Sequence, residues 1–412
     1  MSLQIRMDSM GALINDMHMT TGLSVACGNA GASVCAHMGN RREVHMRQDV
    51  MLSDVRPVTE NTLVDLASLT KLFTAVAVMQ MVEKGWIKLT DMVGQIDMRF
   101  SRLSRVSLED VLCFRYSLQT PSRIDSQLDP AQAQDLLFEV EPLNHTGVRM
   151  YSDIGAMVLK YVVERVSGLP FMRYIERNIL GPAGMSHTYS RVPPSLWNDT
   201  MCYNYERRIS HGRYAVRMDA HVGHVHDPKA AVLSPNGEDL CGHAGLFSTR
   251  GDLILFCQAL LSGKLLQKET LLEMGTNRTC RKLEGEEAAG SLGGYTQSLG
   301  YLCFAKHPVQ RYSEVPAFMS SHTLALSGFT GNHIAIDPVN GWFTILLGNR
   351  CHNRVTTVIP SPGKTRADYG VSSSGVGLVD WPDGKSYYSS VNYAYMKDQY
   401  LLEPLHEALL SL

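Results

Sequence analysis

The chain predicts an α+β fold: an antiparallel sheet assembled from both ends of the chain and flanked by helices, with a helical lobe inserted between. Three observations carry this. Extended segments broken by turn signals lie near the N-terminus, a long stretch of helical pattern fills the middle, and extended segments return beyond residue 320 before an amphipathic tail. On this reading residues 1–95 and 235–412 form the sheet domain, residues 96–234 form a mainly helical lobe, and the site lies in the cleft between them. A chain of 412 residues, 44% of them hydrophobic, can bury cores of that size.

Taken in order, Met1 to Met19 carries Arg6, Asp8 and Asp16 among apolar residues and reads as an amphipathic helix. Gly22 to His37 reads as a hairpin, because small apolar runs flank the turn Asn29-Ala30-Gly31. Leu66 to Lys84 is a strong helix stopped by Gly85. From Asp97 to Gly223 the pattern is helical with polar loops. Within it Ile154, Met157, Val158, Tyr161 and Val162 repeat at helical spacing up to Gly168. His322–Ser327 and His333–Asp337 flank Gly328-Phe329-Thr330-Gly331, a second hairpin signal, and Gly341–Leu347 adds a third strand. Pro360 to Gly384 reads as a loop excursion and Gln399 to Leu412 as a closing helix.

Composition excludes several classes. A net charge of −2 offers no electrostatic case for nucleic acid or an anionic membrane surface as partner. No run of 18 apolar residues is present, so no membrane span is expected. The nine cysteines are scattered and odd in number, without C-x-x-C spacing. Together with an N-terminus lacking a basic-then-apolar order, they point to reduced thiols in the cytoplasm.

Chemistry concentrates at Ser68-Leu69-Thr70-Lys71. Positions i and i+3 share a helix face, so the Ser68 hydroxyl and the Lys71 amine can meet one turn apart at the helix start. A serine beside an amine in apolar surroundings is a nucleophile with its own base. A chain this long shows about one or two S-x-x-K strings by chance. The second one here, Ser361-Pro362-Gly363-Lys364, contains Pro-Gly and cannot form the helical turn. For Ser68 itself the competing structural role is a helix cap.

Two further segments join it. Tyr151-Ser152-Asp153 precedes the helix at Ile154, where a loop tyrosine can reach a site. Ser327-Gly328 ends a strand, where glycine lets a substrate or backbone approach closely. In this order and spacing they resemble the serine β-lactamase and penicillin-binding-protein superfamily, whose signatures are S-x-x-K, S-D-N and K-T-G. The likeness is greater to its class C β-lactamase, D,D-carboxypeptidase and esterase branch, whose second motif is Tyr-x-Asn. It covers about residues 18 to 352 and includes Gly242-His243-Ala244-Gly245-Leu246-Phe247, Val225-His226-Asp227-Pro228 and Gly348-Asn349-Arg350-Cys351-His352.

The resemblance implies a β-lactamase/transpeptidase-like fold and a serine hydrolase that forms an acyl-enzyme without metal or cofactor. Ser68 is then the nucleophile, Lys71 its base with a lowered pKa, and Tyr151 the proton shuttle. The backbone N–H groups of Ser68 and Phe329 hold the oxyanion beside Ser327 and Gly328. Two departures bear on substrate. Asp153 stands where the branch has Asn and can only accept hydrogen bonds when ionised, so it pairs with Lys71 and raises its pKa. Leu326 stands where the branch has Lys or His, so the group that supports Tyr151 and grips a substrate carboxylate is missing. His333 is a candidate replacement.

The expected partner is a small acyl substrate, with an ester or amide ahead of a β-lactam or a D-alanyl peptide. A D,D-carboxypeptidase or β-lactamase is the alternative, and a non-catalytic binding or sensor relative is the second. Two other readings rest on motifs. His221, His224 and His226 beside Asp227 form a zinc-like cluster. Gly363-Lys364-Thr365 mimics a P-loop end but has Val358 where the leading glycine belongs.

Overall fold

The structure is a computed structural model that describes residues 7–47, 50–143, 151–218, 222–288, 291–373 and 376–412. Its centre is a six-stranded antiparallel sheet. β1 (Gly22–Asn29), β2 (Ser33–Arg47) and β3 (Val50–Pro57) come from the N-terminal part of the chain. β4 (Leu324–Gly328), β5 (Asn332–Asp337) and β6 (Trp342–Gly348) come from the C-terminal part. The strand order is β4-β5-β6-β1-β2-β3, closed in the middle by β1 against β6, where Leu23 pairs with Gly348 and Asn29 with Trp342.

Alternation along the strands sorts the two faces. Ala26 of β1 and Phe343, Ile345 and Leu347 of β6 enter the large core. Leu23, Val25, Cys27 and Leu346 point the other way, onto a smaller core with Met10, Leu13, Leu402 and Leu405 of the terminal helices. The N-terminal segment folds as two short turns of helix, Met7–Gly11 and Ala12–Asp16.

Three helices organise the large core: α1 (Thr70–Glu83), α2 (Ile154–Ser167) and α3 (Arg250–Leu261). α1 is buried all round from Thr70 to Met81, which is why its sequence shows little polar stripe. Its polar side chains are paired internally: Thr74 Oγ1 donates to the Gly242 carbonyl at 2.6 Å and Gln80 Nε2 to that of Asn178 at 3.0 Å. Phe73 stacks on Phe256 of α3 at 4.3 Å.

The middle of the chain departs from the helical expectation. Residues 117–119 and 141–143 form a short antiparallel pair. Glu206–Ser210 pairs with Arg213–Arg217 and, in parallel, with Val355–Ile359. Ile209 thereby packs with Val355, Val358 and Trp381. The partner strand lies some 150 residues away, so local pattern carries no sign of it. The excursion after Pro360 also closes on itself, through the pair Leu378–Asp380 with Ser386–Tyr388. Among the described residues no helix is long and apolar enough to cross a membrane, and all nine cysteines are free.

Candidate active site

Ser68 sits in a 3-10 turn, Ala67–Leu69, that leads into α1. No side chain caps α1, so Ser68 does not serve as its cap. Ala67 adopts a left-handed backbone, φ 48°, a conformation that is costly for a residue with a Cβ. The turn is held by the fully buried Asp65. Its Oδ1 accepts from the Ala67 N–H at 2.8 Å, and its Oδ2 accepts from the His226 N–H at 2.6 Å. The Asp65 carbonyl accepts from Thr330 Oγ1 at 3.0 Å and Asn332 Nδ2 at 2.7 Å. The nucleophile turn and the β4–β5 hairpin are thus tied at one residue.

Lys71, one helical turn on and with no exposed side-chain surface, donates from Nζ to Ser68 Oγ at 2.9 Å. It also donates to Asp153 Oδ1 at 2.7 Å and to the His243 carbonyl at 3.4 Å. Burial pushes the Lys71 pKa down, but the neighbouring Tyr151 phenol and Asp153 carboxylate outweigh it, and the net direction is up. The resting lysine is therefore an ammonium: the lowered pKa expected of a base is absent, and the direction is the one expected of its pairing with Asp153.

Asp153 is held between two lysines, because Lys229 Nζ lies 3.0 Å from its Oδ2. Burial raises its pKa, but Lys71, His243 and Lys229 together hold it well below the usual carboxylate range. Asp227 secures Lys229 from the other side. It caps the helix Pro228–Leu233 through the Lys229 and Ala230 N–H groups, both at 2.9 Å, and its Oδ1 meets His243 Nε2 at 2.9 Å.

Tyr151 lies at the entry to α2, its ring stacked on Phe304 at 4.9 Å and its centroid 4.8 Å from Lys71 Nζ. Its backbone N–H donates to Gln297 Oε1 at 2.8 Å. The hydroxyl is buried near Ser68 and Lys71, yet it has no hydrogen-bond partner of good geometry among the described residues. Burial, more than any other effect, pushes its pKa up, so it rests as the neutral phenol. An orphaned buried hydroxyl of this kind needs a partner, which a bound substrate or water can supply.

The edge strand β4 brings Ser327 and Gly328 to the same cavity as Ser68 and Tyr151, a space of about 490 Å³. A Cβ on Gly328 would meet the Leu66 carbonyl oxygen at 2.8 Å, so glycine allows the strand to approach the nucleophile turn. Among the described residues neither the Ser68 nor the Phe329 amide has a hydrogen-bond partner. Phe329 is 40% exposed and lines the cavity, with Arg208 and Arg350 over its ring at 5.2 and 5.0 Å.

Leu326 pairs with Ile334 and is wholly buried in the large core, away from the cleft. His333, opposite Ser327, is also buried, and its Nε2 contacts the Glu314 carbonyl at 2.8 Å. Burial lowers its pKa to about 4, so near neutrality it supplies no positive charge. Position 397 brings a cation to this edge instead: Lys397 Nζ donates to Glu314 Oε2 at 2.9 Å, and Ser327 Oγ donates to the same atom at 2.6 Å.

Among the described residues of the histidine cluster, His224 and His226 turn to different surroundings. His221 lies outside the described residues. His224 packs near Trp197, at 5.6 Å, and lines a different cavity. His226 turns inward to Glu206 at 2.9 Å. Two other groups, Asp153–Asp227–His243 and Glu206–His226–Cys351, have ligand atoms within 4.8 Å of one another. Lys71 and Lys229 already neutralise the first, and Arg208 and Thr356 bind Glu206 in the second. Gly363-Lys364-Thr365 lies on a surface turn away from the site cavity.

Sequence reasoning missed Lys229, Glu314 and Lys397. Each is an ordinary charged residue locally, and only burial beside the cleft distinguishes it.

Ser68 against the buried Lys71, beside Tyr151 and at the edge of an antiparallel sheet packed with helices, fits a serine hydrolase of the β-lactamase class. Comparison with known proteins agrees. The family model described as Beta-lactamase matches residues 15–358, and the chain belongs to that family. A Salmonella typhimurium protein, named provisionally as a D-alanyl-D-alanine carboxypeptidase, is 28% identical over 331 residues, covering 74% of this chain and 73% of that protein.

Solved structures share the fold. A class C beta lactamase from Rhodobacter sphaeroides has a TM-score of 0.59 at 18% identity, over 84% of this chain and 94% of its own. The simvastatin synthase LovD from Aspergillus terreus has a TM-score of 0.62 at 17% identity, over 86% and 92%. An octameric penicillin-binding protein homologue from Pyrococcus abyssi has a TM-score of 0.58 at 19% identity, over 83% and 73%.

Proposed function

We propose that this protein hydrolyses small esters or amides through an acyl-enzyme on Ser68, with esters as the preferred class and D-amino-acid peptides second. The observation that carries the reading is the 2.9 Å contact between the buried Lys71 Nζ and Ser68 Oγ, with Ser68 lining a substrate-sized cavity. The reaction starts from the fraction of Lys71 that is neutral. Ser68 Oγ attacks the acyl carbon and its proton passes to Lys71. The carbonyl oxygen gains charge between the Ser68 and Phe329 amides. As the bond to the leaving group breaks, Tyr151 hands that group a proton and recovers one from Lys71. Water then attacks the ester on Ser68 and gives a proton to Lys71, the bond between the acyl carbon and Ser68 Oγ breaks as Oγ takes that proton back, and the acid departs.

The names of the 28% identical relatives support a second reading, a D-alanyl-D-alanine carboxypeptidase. Nine free thiols, most of them buried, support a reducing compartment, and we read the chain as cytoplasmic. Hydrolysis of p-nitrophenyl esters, nitrocefin and D-Ala-D-Ala peptides, measured beside Ser68→Ala, tests the activity. Ester turnover is expected to fall by on the order of 10³-fold or more in the variant. Turnover that survives Ser68→Ala refutes the assignment. Absence of a Ser68 adduct with both a fluorophosphonate and a fluorescent penicillin leaves a non-catalytic binding protein.

A further inference from the structure

The strand edge beside the nucleophile carries a carboxylate as well as a cation. Glu314 and Lys397 both line the cavity that contains Ser68 and Tyr151. Glu314 Oε2 accepts from Ser327 Oγ at 2.6 Å and from Lys397 Nζ at 2.9 Å. Lys397 is only 2% exposed and gives a further bond to the Ala394 carbonyl at 3.0 Å. Its charge is therefore matched inside the wall and is not presented to a ligand. The Ser327 hydroxyl proton is likewise committed to Glu314, which leaves only oxygen lone pairs facing the cleft.

A carboxylate arriving at this edge would meet Glu314, whose neighbouring cation Lys397 is already paired, and would find no hydroxyl proton on Ser327 to bind. Such a meeting is repulsive, and strongly so in a partly desolvated cleft. A neutral group that donates a hydrogen bond finds Ser327 Oγ as an acceptor. The other lining cations stand elsewhere. Arg208 is paired with Glu206 and Arg123 with Asp125. Lys229 is paired with Asp153; Arg350 has no carboxylate partner among the described residues, but its guanidinium is held over the Phe329 ring and by the Thr356 carbonyl at 2.9 Å and does not contact Ser327 or Glu314.

We propose that the Glu314–Lys397 pair sets specificity at the cleft, admitting neutral leaving groups at the Ser327 edge and rejecting those that carry a carboxylate. The inference rests on the acyl-enzyme reading of Ser68 and selects within it, favouring neutral esters over β-lactams and C-terminal peptides.

The test uses two esters of one N-acylglycine that differ by a single group, the phenyl ester and the m-carboxyphenyl ester. For the wild-type protein, kcat/KM is expected to favour the phenyl ester by about ten-fold or more, after correction for the esters' rates with hydroxide. Glu314→Gln frees Lys397 and should bring the two esters to within about two-fold of each other, while turnover of the phenyl ester reports that the protein is folded. The double variant Glu314→Gln with Lys397→Met should restore the preference for the phenyl ester. Equal or better use of the carboxylated ester by the wild type overturns the proposal, as does an unchanged ratio in Glu314→Gln. The wild-type ratio alone decides if the variant does not fold. Failure of the wild type to turn over either ester, with no label on Ser68, overturns the acyl-enzyme reading and the proposal with it, an outcome distinct from a flat ratio with turnover intact.

Discussion

Burial, Tyr151 and Asp153 together set the charge of Lys71, and Asp153 is the partner that carries a full negative charge beside it. Lys71 is buried, which alone favours the neutral amine, yet the carboxylate 2.7 Å away keeps the proton on it. A base whose pKa is raised gains its active form only as pH climbs, so turnover should rise toward alkaline pH. Asp153→Asn removes the carboxylate while leaving Lys229 nearby to repel a charged Lys71. The alkaline rise should then move to lower pH, and kcat/KM for a p-nitrophenyl ester at pH 7 should increase about ten-fold for each pKa unit gained. A pH–rate profile unchanged by the substitution would show that Lys71 is not the titrating base. Tyr151 belongs to the same argument, because its neutral, unpartnered hydroxyl can donate to a leaving group but, already protonated, cannot take the proton from Ser68.

At the scale of elements, the site is the place where a helix start and a strand end are pressed together. Gly328 makes that approach possible. Gly328→Ala places a Cβ 2.8 Å from the Leu66 carbonyl and 3.3 Å from Asn332 Cβ, and backbone atoms cannot yield as a side-chain tip can. The expected loss of stability is about 1–3 kcal/mol in urea denaturation. Ester turnover should fall further than that loss explains, because β4 must move away from Ser68. The α1 core is a separate lever. Phe73 is fully buried against Phe256, and Phe73→Ala is expected to cost about 3–5 kcal/mol by the same measurement, with activity kept in whatever fraction stays folded.

The whole molecule carries several ionisable groups in states that suit neutral pH only. His333 and His352 are completely buried, and burial lowers their pKa values to about 4 and about 3. The unfolded chain takes up these protons near pH 6.5, while the folded chain refuses them until much lower pH. Stability is thus complete above about 6.5 and drains away as pH falls toward 4, by up to about 1.4 kcal/mol per pH unit for each imidazole. Glu314, held at about 2 against burial, mainly by Lys397, extends the loss below about 4.5. Thermal melts between pH 7.5 and 4 should show a steady drop in Tm. His352→Gln should flatten its upper part, although the bonds His352 makes to the Glu43 amide at 3.0 Å and to the Asn204 carbonyl at 3.1 Å will be weakened. A Tm flat across that range would contradict the buried neutral histidines.

What can be read from the chain alone follows from contacts that are local. Ser68 and Lys71 lie three residues apart on one helical turn, so the helix itself brings the serine to the amine. The strands β4, β5 and β6 are adjacent in sequence, and Gly328 to Gly331 mark their turn. Local pattern and a family likeness therefore sufficed for the α+β fold, and they picked out Ser68, Lys71 and Tyr151, which the structure places side by side. The tertiary structure alone decided the surroundings of that set. Lys229 reaches Asp153, and Lys397 comes from the far end of the chain to meet Glu314 beside Ser327. The parallel strand at Glu206–Ser210 and the separation of His224 from His226 were equally invisible locally. Burial and long-range pairing set charge states, and neither leaves a period or a spacing in the sequence. The contact between Ser68 and Lys71 is thus a property of one turn of helix, while the charges around it belong to groups that meet only when the chain is folded.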